Sequence, residues 1–441
     1  MQVIHARSLA AVAVAGLLAL AWVRTSSADK DPTLPPEILH APSAQPDRVI
    51  LTWAGDPSTT QAVTWRTSTV VARAAAQIAV AEDGPLFKPK AVEVPAATER
   101  FQSNLGEALY HSVRFENLTP GTKHVYRVGD GFNWSEWSHF RTASAGAGPV
   151  EFVYVGDAQN NILEMWSRVI RSSFADAPKA QFLIHAGDLI NTADRDEQWG
   201  EWHRAAGWIN QSVVSFPVPG NHEYGKSAAG TRELNRNWRP QFTLPENGVA
   251  GLEETNYYVD LHGVRVVALN SNLKQKEQAE WLDGLLTKNP NRWTVVTFHH
   301  PIFSTARGRD NAELRNTWKP VFDKHRVDLV LTGHDHSYGR SNLVSGENRK
   351  EGGTVYVVSV SGPKMYNVTP APWMMRKGED TQLYQIIRID GDRLKYESRT
   401  ARGNLYDAFE LVKRRGRPNL MRDMKPPTPE NLRPPVEVSG E

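Results

Sequence analysis

Five short segments gather carboxylate, amide and imidazole groups at the ends of apolar runs. They read Gly-Asp-Ala-Gln at 156–159, Gly-Asp-Leu-Ile-Asn at 187–191, Gly-Asn-His-Glu at 220–223, His-His-Pro at 299–301 and Gly-His-Asp-His at 333–336. Oxygen and imidazole donors without sulfur suit zinc, manganese or iron rather than copper electron transfer or a structural zinc site. Taken singly, each motif is an ordinary turn or a packed histidine; together they hold donors enough for two ions. Two metals about 3.5–4 Å apart, bridged by a carboxylate, clamp the attacking and departing oxygens of an in-line displacement, which is the machinery of phosphoester hydrolysis.

Donors so far apart in the chain need a scaffold that brings strand ends together. The preceding segments, among them VEFVYVG, AQFLIHAG, SVVSFPVPG, RWTVVTFHH and VDLVLTG, are β-branched apolar runs of the kind buried on both faces. Ligands of open α/β sheets collect in the crevice beyond the carboxyl ends of such strands. Glycines before Asp157, Asp188, Asn221 and His334 are expected to let the backbone turn off each strand. Helices are expected at 275–287 and 312–324. Later strands at 354–360, 382–390 and 393–399, the last two joined by a hairpin-like Asp-Gly-Asp-Arg, predict a mixed sheet.

Other features bound the function class. The chain has 441 residues, with 51 basic against 49 acidic groups, so its net charge of +2 gives no electrostatic case for a nucleic acid surface. It has no cysteine, which excludes thiol catalysis and iron–sulfur clusters. His5 and Arg7, the apolar run 9–23 and Ser26-Ser27-Ala28 read as a signal peptide over 1–28, hence a secreted or periplasmic protein with no stable membrane span after cleavage. A proline-rich, extended lead-in at 32–47 precedes short strands with Trp53, Trp65, Tyr126 and Trp137 available for a two-sheet core, predicting an all-β sandwich over 45–143. Small residues at 144–149 link it to the second domain, 149–405, and 414–441 reads as a Pro-rich tail, disordered or wrapped on the surface.

The order and spacing of the five motifs resemble the calcineurin-like metallophosphoesterase superfamily. Within it the chain is similar to purple acid phosphatases with an N-terminal fibronectin type III-like domain; LTPGTKHVYRV in the sandwich and WRPQFTLPENG at 238–248 add to the likeness, which covers 45–405. The resemblance implies a fibronectin type III-like β-sandwich followed by a four-layer αββα domain holding two metal ions, expected to be divalent iron, zinc or manganese. It gives Asp157 and His336 to the first metal, Asp188 to both as the bridge, and Asn221, His299 and His334 to the second. His222 is implied near the leaving group and His300 in contact with phosphate.

Two positions depart from the purple enzymes. Asn191 stands where they have an iron-binding tyrosine, and resembles instead a form in which that side chain supports the catalytic histidine. Gln159 occupies a position where many superfamily members have a histidine ligand; its amide oxygen could ligate the first metal or merely hydrogen-bond nearby. The expected function is an exported phosphohydrolase acting on small phosphomonoesters through a metal-bound hydroxide, acid phosphatase-like. A phosphodiesterase or nucleotide hydrolase on the same metals is the alternative within the class. An exported binding protein that uses the sandwich is the alternative outside it.

Overall fold

The computed structural model describes residues 34–227, 230–345 and 352–434. The segment read as a signal peptide, 1–28, lies outside the described residues. Among those described, no helix is long and apolar enough to cross a membrane. The lead-in is not wholly extended, because Pro36–Leu39 forms one helical turn, with proline at a first position that needs no N–H.

The first domain is a sandwich. Strands Asp47–Thr52, Gln61–Thr67, Gly106–Phe115 and Ala97–Ser103 lie side by side in one sheet, and Val92–Pro95, Ala75–Val80, Lys123–Gly129 and Ser138–Arg141 in the other. Trp65, Val63, Tyr126, Phe115 and Phe140 fill the space between them. Trp137, expected in this core, lies outside it: its ring packs edge-on against Phe87 at 5.0 Å and under the Arg127 guanidinium at 4.6 Å. An indole with a cation to cover its face does not need an interior.

In the second domain two sheets face each other. Parallel strands Val150–Val155, Phe182–His185 and Val214–Pro217 form the heart of the first, continued by antiparallel Leu383–Asp390 and Arg393–Thr400. Strands Val264–Ala268, Trp293–Thr297, Leu329–Thr332 and Gly352–Val358 run parallel in the second. The period-two alternation of strands decides the layering. Val266, Val295, Leu329, Leu331 and Val355 face the large central core, whereas Val267, Val296, Val330 and Tyr356 face a separate cluster built with Leu282, Leu286, Trp318 and Phe322. Those four belong to helices Gln275–Thr287 and Ala312–His325, which cover the second sheet; Ser167–Asp176 and Asp196–Ala206 pack with the first. This is the αββα order.

The sheet also runs past the boundary at 405 read from sequence. Leu405–Arg414 pairs with Arg393–Thr400, and Arg417–Met424, inside the segment read as a Pro-rich tail, adds one more antiparallel strand. That edge strand buries only Asn419, so it carries no apolar alternation by which to recognise it.

The two domains share one core rather than meeting across a linker. Thr52 pairs in parallel with Ser215, so the sandwich sheet extends the first sheet into eleven strands, and Trp53 packs on Phe182 at 5.4 Å. Beside this seam Arg48, with a 3% exposed side chain, clasps Asp196 through two bonds of 2.7 and 2.8 Å. Tyr110 accepts another bond from Arg48 at 2.8 Å, and Arg66 reaches Asp196 at 3.4 Å. Removing one partner of such a buried pair strands the other charge and typically costs about 3–5 kcal/mol. Asp196→Ala is therefore expected to lower unfolding free energy by about that much in urea titration, and a chain beginning at Pro149 to fail to give a cooperative transition.

Buried His185 and His203 make a second contribution to stability that depends on pH. Burial pushes each down to about 3, so the folded state refuses a proton that the unfolded chain accepts near 6.5. Stability from these groups is complete above about pH 6.5 and is lost as pH falls toward 3, by up to about 1.4 kcal/mol per pH unit for each group. The urea midpoint is expected to drop between pH 7 and pH 5, and to drop less in His203→Gln.

Candidate metal centre

The carboxyl ends of five strands, three in the first sheet and two in the second, converge on one cleft, and the five motifs occupy it. Main-chain bonds tie the loops together, Gly333 N to His299 O at 3.0 Å within the second sheet and Gly362 N to Asp157 O at 2.7 Å between the two sheets. Asp157, Asp188 and His336 form one group whose donor atoms lie within 4.8 Å of one another; His299, His300 and His334 form another. The groups touch through His299, whose Nε2 is 3.1 Å from Asp188 Oδ2, 3.1 Å from Asn221 Oδ1 and 3.1 Å from His334 Nδ1.

The backbone reaches this arrangement by a route other than turning at each glycine. Only Gly187 has a positive φ, 87°; the residues that turn are the polar ones, Asp157 at 35°, Asp188 at 50°, His334 at 75° and His336 at 47°. Non-glycine residues in that region store strain and persist where the surroundings over-determine them. Gly156, Gly220 and Gly333 are required for space. A Cβ at Gly220 would stand 2.1 Å from Asp188 Oδ1, and one at Gly333 would stand 2.5 Å from Asp157 Oδ2.

The donor set is that of a cation site. His299 donates from Nδ1 to Ala186 O at 2.9 Å and His336 from Nδ1 to Lys364 O at 3.1 Å, so in the neutral ring each Nε2 turns a lone pair toward the cluster. Acceptors thus face acceptors: carboxylate oxygens, an amide oxygen and imidazole lone pairs meet in a buried spot. Burial, eased by His299 but worsened by Asp188, pushes Asp157 well above the usual carboxylate range. Burial also opposes the charge on Asp188, yet His299 and then His222 hold that carboxyl below its ordinary value. His299 rises to about 9 despite burial, because Asp188 and Asp157 attract its proton. Burial and Lys364 hold His336 down to about 3. These shifts express one demand, positive charge between the two aspartates.

Gln159 is fully buried; its Nε2 donates to Asp188 Oδ2 at 2.8 Å and lies 3.1 Å from His336 Nε2, while Oε1 has no partner among the described residues. Rotating the amide by half a turn exchanges the two atoms and presents the orphaned oxygen to the cluster. His222 donates from Nδ1 to the main-chain carbonyl of Asn191, leaving Nε2 3.9 Å from Asp188 Oδ2 on a 26% exposed side chain. The sequence points to the Asn191 side chain for this support; instead that amide accepts from Asn160 at 3.2 Å, and the backbone carbonyl orients the ring. His300 N donates to Ser271 Oγ at 3.0 Å, and Ser271 meets His300 Nδ1 at 2.8 Å. When the hydroxyl proton goes to Nδ1, His300 keeps a proton on Nε2 to donate.

Several positioning residues are not evident from sequence. Glu223, 1% exposed, accepts main-chain bonds from Gly220 at 2.6 Å, Leu189 at 2.8 Å and Asp188 at 3.0 Å, fixing two of the loops together. Gln198 Oε1 holds the N–H groups of Asn191 and Thr192 at 2.8 and 2.9 Å. Asp335, between the two histidines of its motif, accepts from Thr305 N at 2.6 Å. The carboxylates of Glu223 and Asp335 are legible as motif members, but only their burial reveals what they hold.

Comparison with known proteins agrees with this fold. The purple acid phosphatase N-terminal domain model matches residues 46–142, and the calcineurin-like phosphoesterase model matches 151–338. Residues 151–338 are thus similar to the calcineurin-like phosphoesterases, and the domain before them to the N-terminal domain of purple acid phosphatases. Similar proteins include an uncharacterised protein of Mycobacterium tuberculosis, 28% identical over 67% of this chain and 62% of its own length. Human acid phosphatase type 7 is 26% identical over 68% of this chain and 72% of its own, and purple acid phosphatase 15 of Arabidopsis thaliana 27% identical over 59% and 54%. The chain thus spans about 62% of the length of the curated relatives that it first matches. Its fold matches the purple acid phosphatase PPD1 from yellow lupin seeds with a TM-score of 0.71 at 18% identity, covering 84% of this chain and 74% of that one. PhoD gives 0.61 at 13% identity, covering 88% and 94%.

Because Gly220 leaves no room for a side chain beside Asp188, Gly220→Ala is expected to displace that carboxylate. Divalent metal retained after dialysis should fall at least tenfold by elemental analysis, while the far-ultraviolet circular dichroism stays that of the intact sheets.

Proposed function

We propose that the phosphoesterase hydrolyses phosphomonoesters with two divalent ions held by the cleft. The observation that carries this reading is the convergence of Asp157, Asp188, His299 and His336 as acceptors around a buried space, with His334 and Asn221 beside them. In the proposed assignment Asp157 and His336 would hold one ion, Asn221, His299 and His334 the other, and Asp188 both; Gln159 would add its amide oxygen to the first. Ions bound there supply an activated water nucleophile near neutral pH and neutralise charge on the phosphoryl oxygens.

The remaining steps fall to side chains. The bond from His222 Nδ1–H to the Asn191 carbonyl fixes its ring, and Nε2 faces the cleft beside Asp188, where the doubly protonated ring gives its Nε2 proton to the departing oxygen and is left neutral. Such a proton transfer is typically worth about 10²–10⁴ in rate. His300, oriented by Ser271 and with its ring 4.3 Å from that of His334, donates to a phosphoryl oxygen. Burial and then the neighbouring His299 lower its proton affinity, so it does so as a neutral ring. A phosphomonoester carries more negative charge than a diester, and two divalent ions against two aspartates favour the more charged substrate. The apolar run at 9–23 supports export as the setting of this activity.

Three outcomes are expected. Asp188→Asn should lose metal and turnover together, whereas His222→Ala should keep its metal by elemental analysis and lose about 10²–10⁴ in kcat. Near-normal turnover in Asp188→Asn would overturn the two-ion assignment. An aryl phosphate should be hydrolysed at least about tenfold faster than its bis-ester, a barrier difference of about 1.4 kcal/mol; the reverse preference would favour a diesterase. With Asn191 in place of tyrosine, iron-loaded protein should show no visible tyrosinate charge-transfer band.

A further inference from the structure

One wall of the cleft carries cations that the hydrolysis above does not use. Tyr366 lies against the cluster, its ring 4.8 Å from that of His336. The Arg309 guanidinium sits 4.8 Å from the centre of the same ring, and the Lys364 ammonium 5.5 Å from it. Arg309 is fixed further by a bond from one terminal nitrogen to His334 O at 2.9 Å and a contact with Asp335 at 3.4 Å. Lys364 is fixed through its own carbonyl, which accepts from His336. The Arg309 guanidinium is therefore anchored to the metal cluster directly, and Lys364 through its main chain, with its ammonium over the Tyr366 ring. Arg307 follows on the same loop, its N–H bonded to Asn367 O at 2.9 Å, and with Arg309, Tyr366 and Asn367 it lines an open groove.

The charges on this wall are not balanced locally. Asp335 is buried and occupied by Thr305 and Ala306 N–H groups as well as by Arg309. Arg433, at the far side of the groove, pairs with Asp380. Among the described residues, no carboxylate lies within ion-pair distance of Lys364 or Arg307. A different rim, reached past Asn160 and Asn191, is acidic, with Glu164, Glu197 and Glu201. An anionic substituent would be repelled there and drawn to the Arg307, Arg309 and Lys364 wall.

We infer that Arg307, Arg309 and Lys364 around Tyr366 form a subsite for a second phosphoryl group, so that bisphosphorylated small molecules are the preferred substrate class. This rests on the proposed phosphomonoester hydrolysis, since the first phosphoryl group must sit at the cluster. Guanidinium and ammonium groups are the side chains that recognise phosphate oxygens, and the Tyr366 ring holds two of them, Arg309 and Lys364, by their charge.

The test uses two competitive inhibitors of aryl phosphate hydrolysis by the metal-loaded protein, propylphosphonate and 1,3-propylenebisphosphonate. The bisphosphonate is expected to have an inhibition constant at least tenfold lower, an advantage that shrinks as salt rises. In Lys364→Gln with Arg307→Gln the ratio should fall at least fivefold, with the melting temperature showing that the fold is kept. Equal inhibition constants in the wild-type protein would overturn the subsite. So would an advantage that survives the double substitution, because the second phosphonate would then be held by the metals. Absence of aryl phosphate hydrolysis would instead sink the hydrolase reading, and the subsite with it, so the two failures are distinguishable.

Discussion

Everything in the second domain answers to one constraint: two aspartates and several imidazole lone pairs are buried facing one another. No arrangement of acceptors alone is stable out of water, because an isolated buried charge costs far more than a hydrogen bond returns. Inside the cluster the Gln159 amide and the His222 and His334 N–H groups donate to the aspartates, and a proton on His299, whose affinity the two carboxylates raise, adds the positive charge. In the proposed function a pair of divalent ions would supply that charge. Four cluster residues hold left-handed backbone angles, which signals a site assembled at a conformational cost and fastened from outside.

The fastening runs farther than the motifs. Glu223 ties the Asp188 loop to the Gly220 loop, and Gln198 holds the Asn191 loop whose carbonyl orients His222. Gln198 stands on helix Asp196–Ala206, and the first residue of that helix is the aspartate clasped by Arg48 from the sandwich. The sandwich is thus part of the frame that places the proposed proton donor, and its shared core with the second domain makes it inseparable from the fold. A domain read from sequence as joined to the second by a short linker shares, in three dimensions, one sheet and one core with it.

What the sequence disclosed follows from the kind of signal each feature leaves. Buried parallel strands are written as uninterrupted β-branched runs, and the donors follow directly at their ends, so the sheets and the convergence of the five motifs were legible, while the four-layer order came from the family resemblance. Helix Gln275–Thr287 was legible for the same reason, a clear apolar face. The edge strand Arg417–Met424 was not, since its side chains are mostly solvated. Nor does sequence distinguish a glycine that turns the chain from one that only leaves room. Gly156, Gly220 and Gly333 leave room, and the strained backbone belongs to neighbouring residues such as Asp157 and His334. The exchange of roles at Asn191, backbone for side chain, depends on a loop register that no local pattern encodes. Arg309, Lys364 and Tyr366 come together only through the packing of two distant loops.

The most direct test of the two-ion account is anomalous diffraction from crystals grown with a divalent transition metal, recorded at its absorption edge. The account predicts two peaks about 3.5–4 Å apart, one on each side of the Asp188 carboxylate, with Asp157 and His336 at one and His299, His334 and Asn221 at the other. A single peak, or two peaks that do not share Asp188, in a protein that still hydrolyses phosphomonoesters would contradict it.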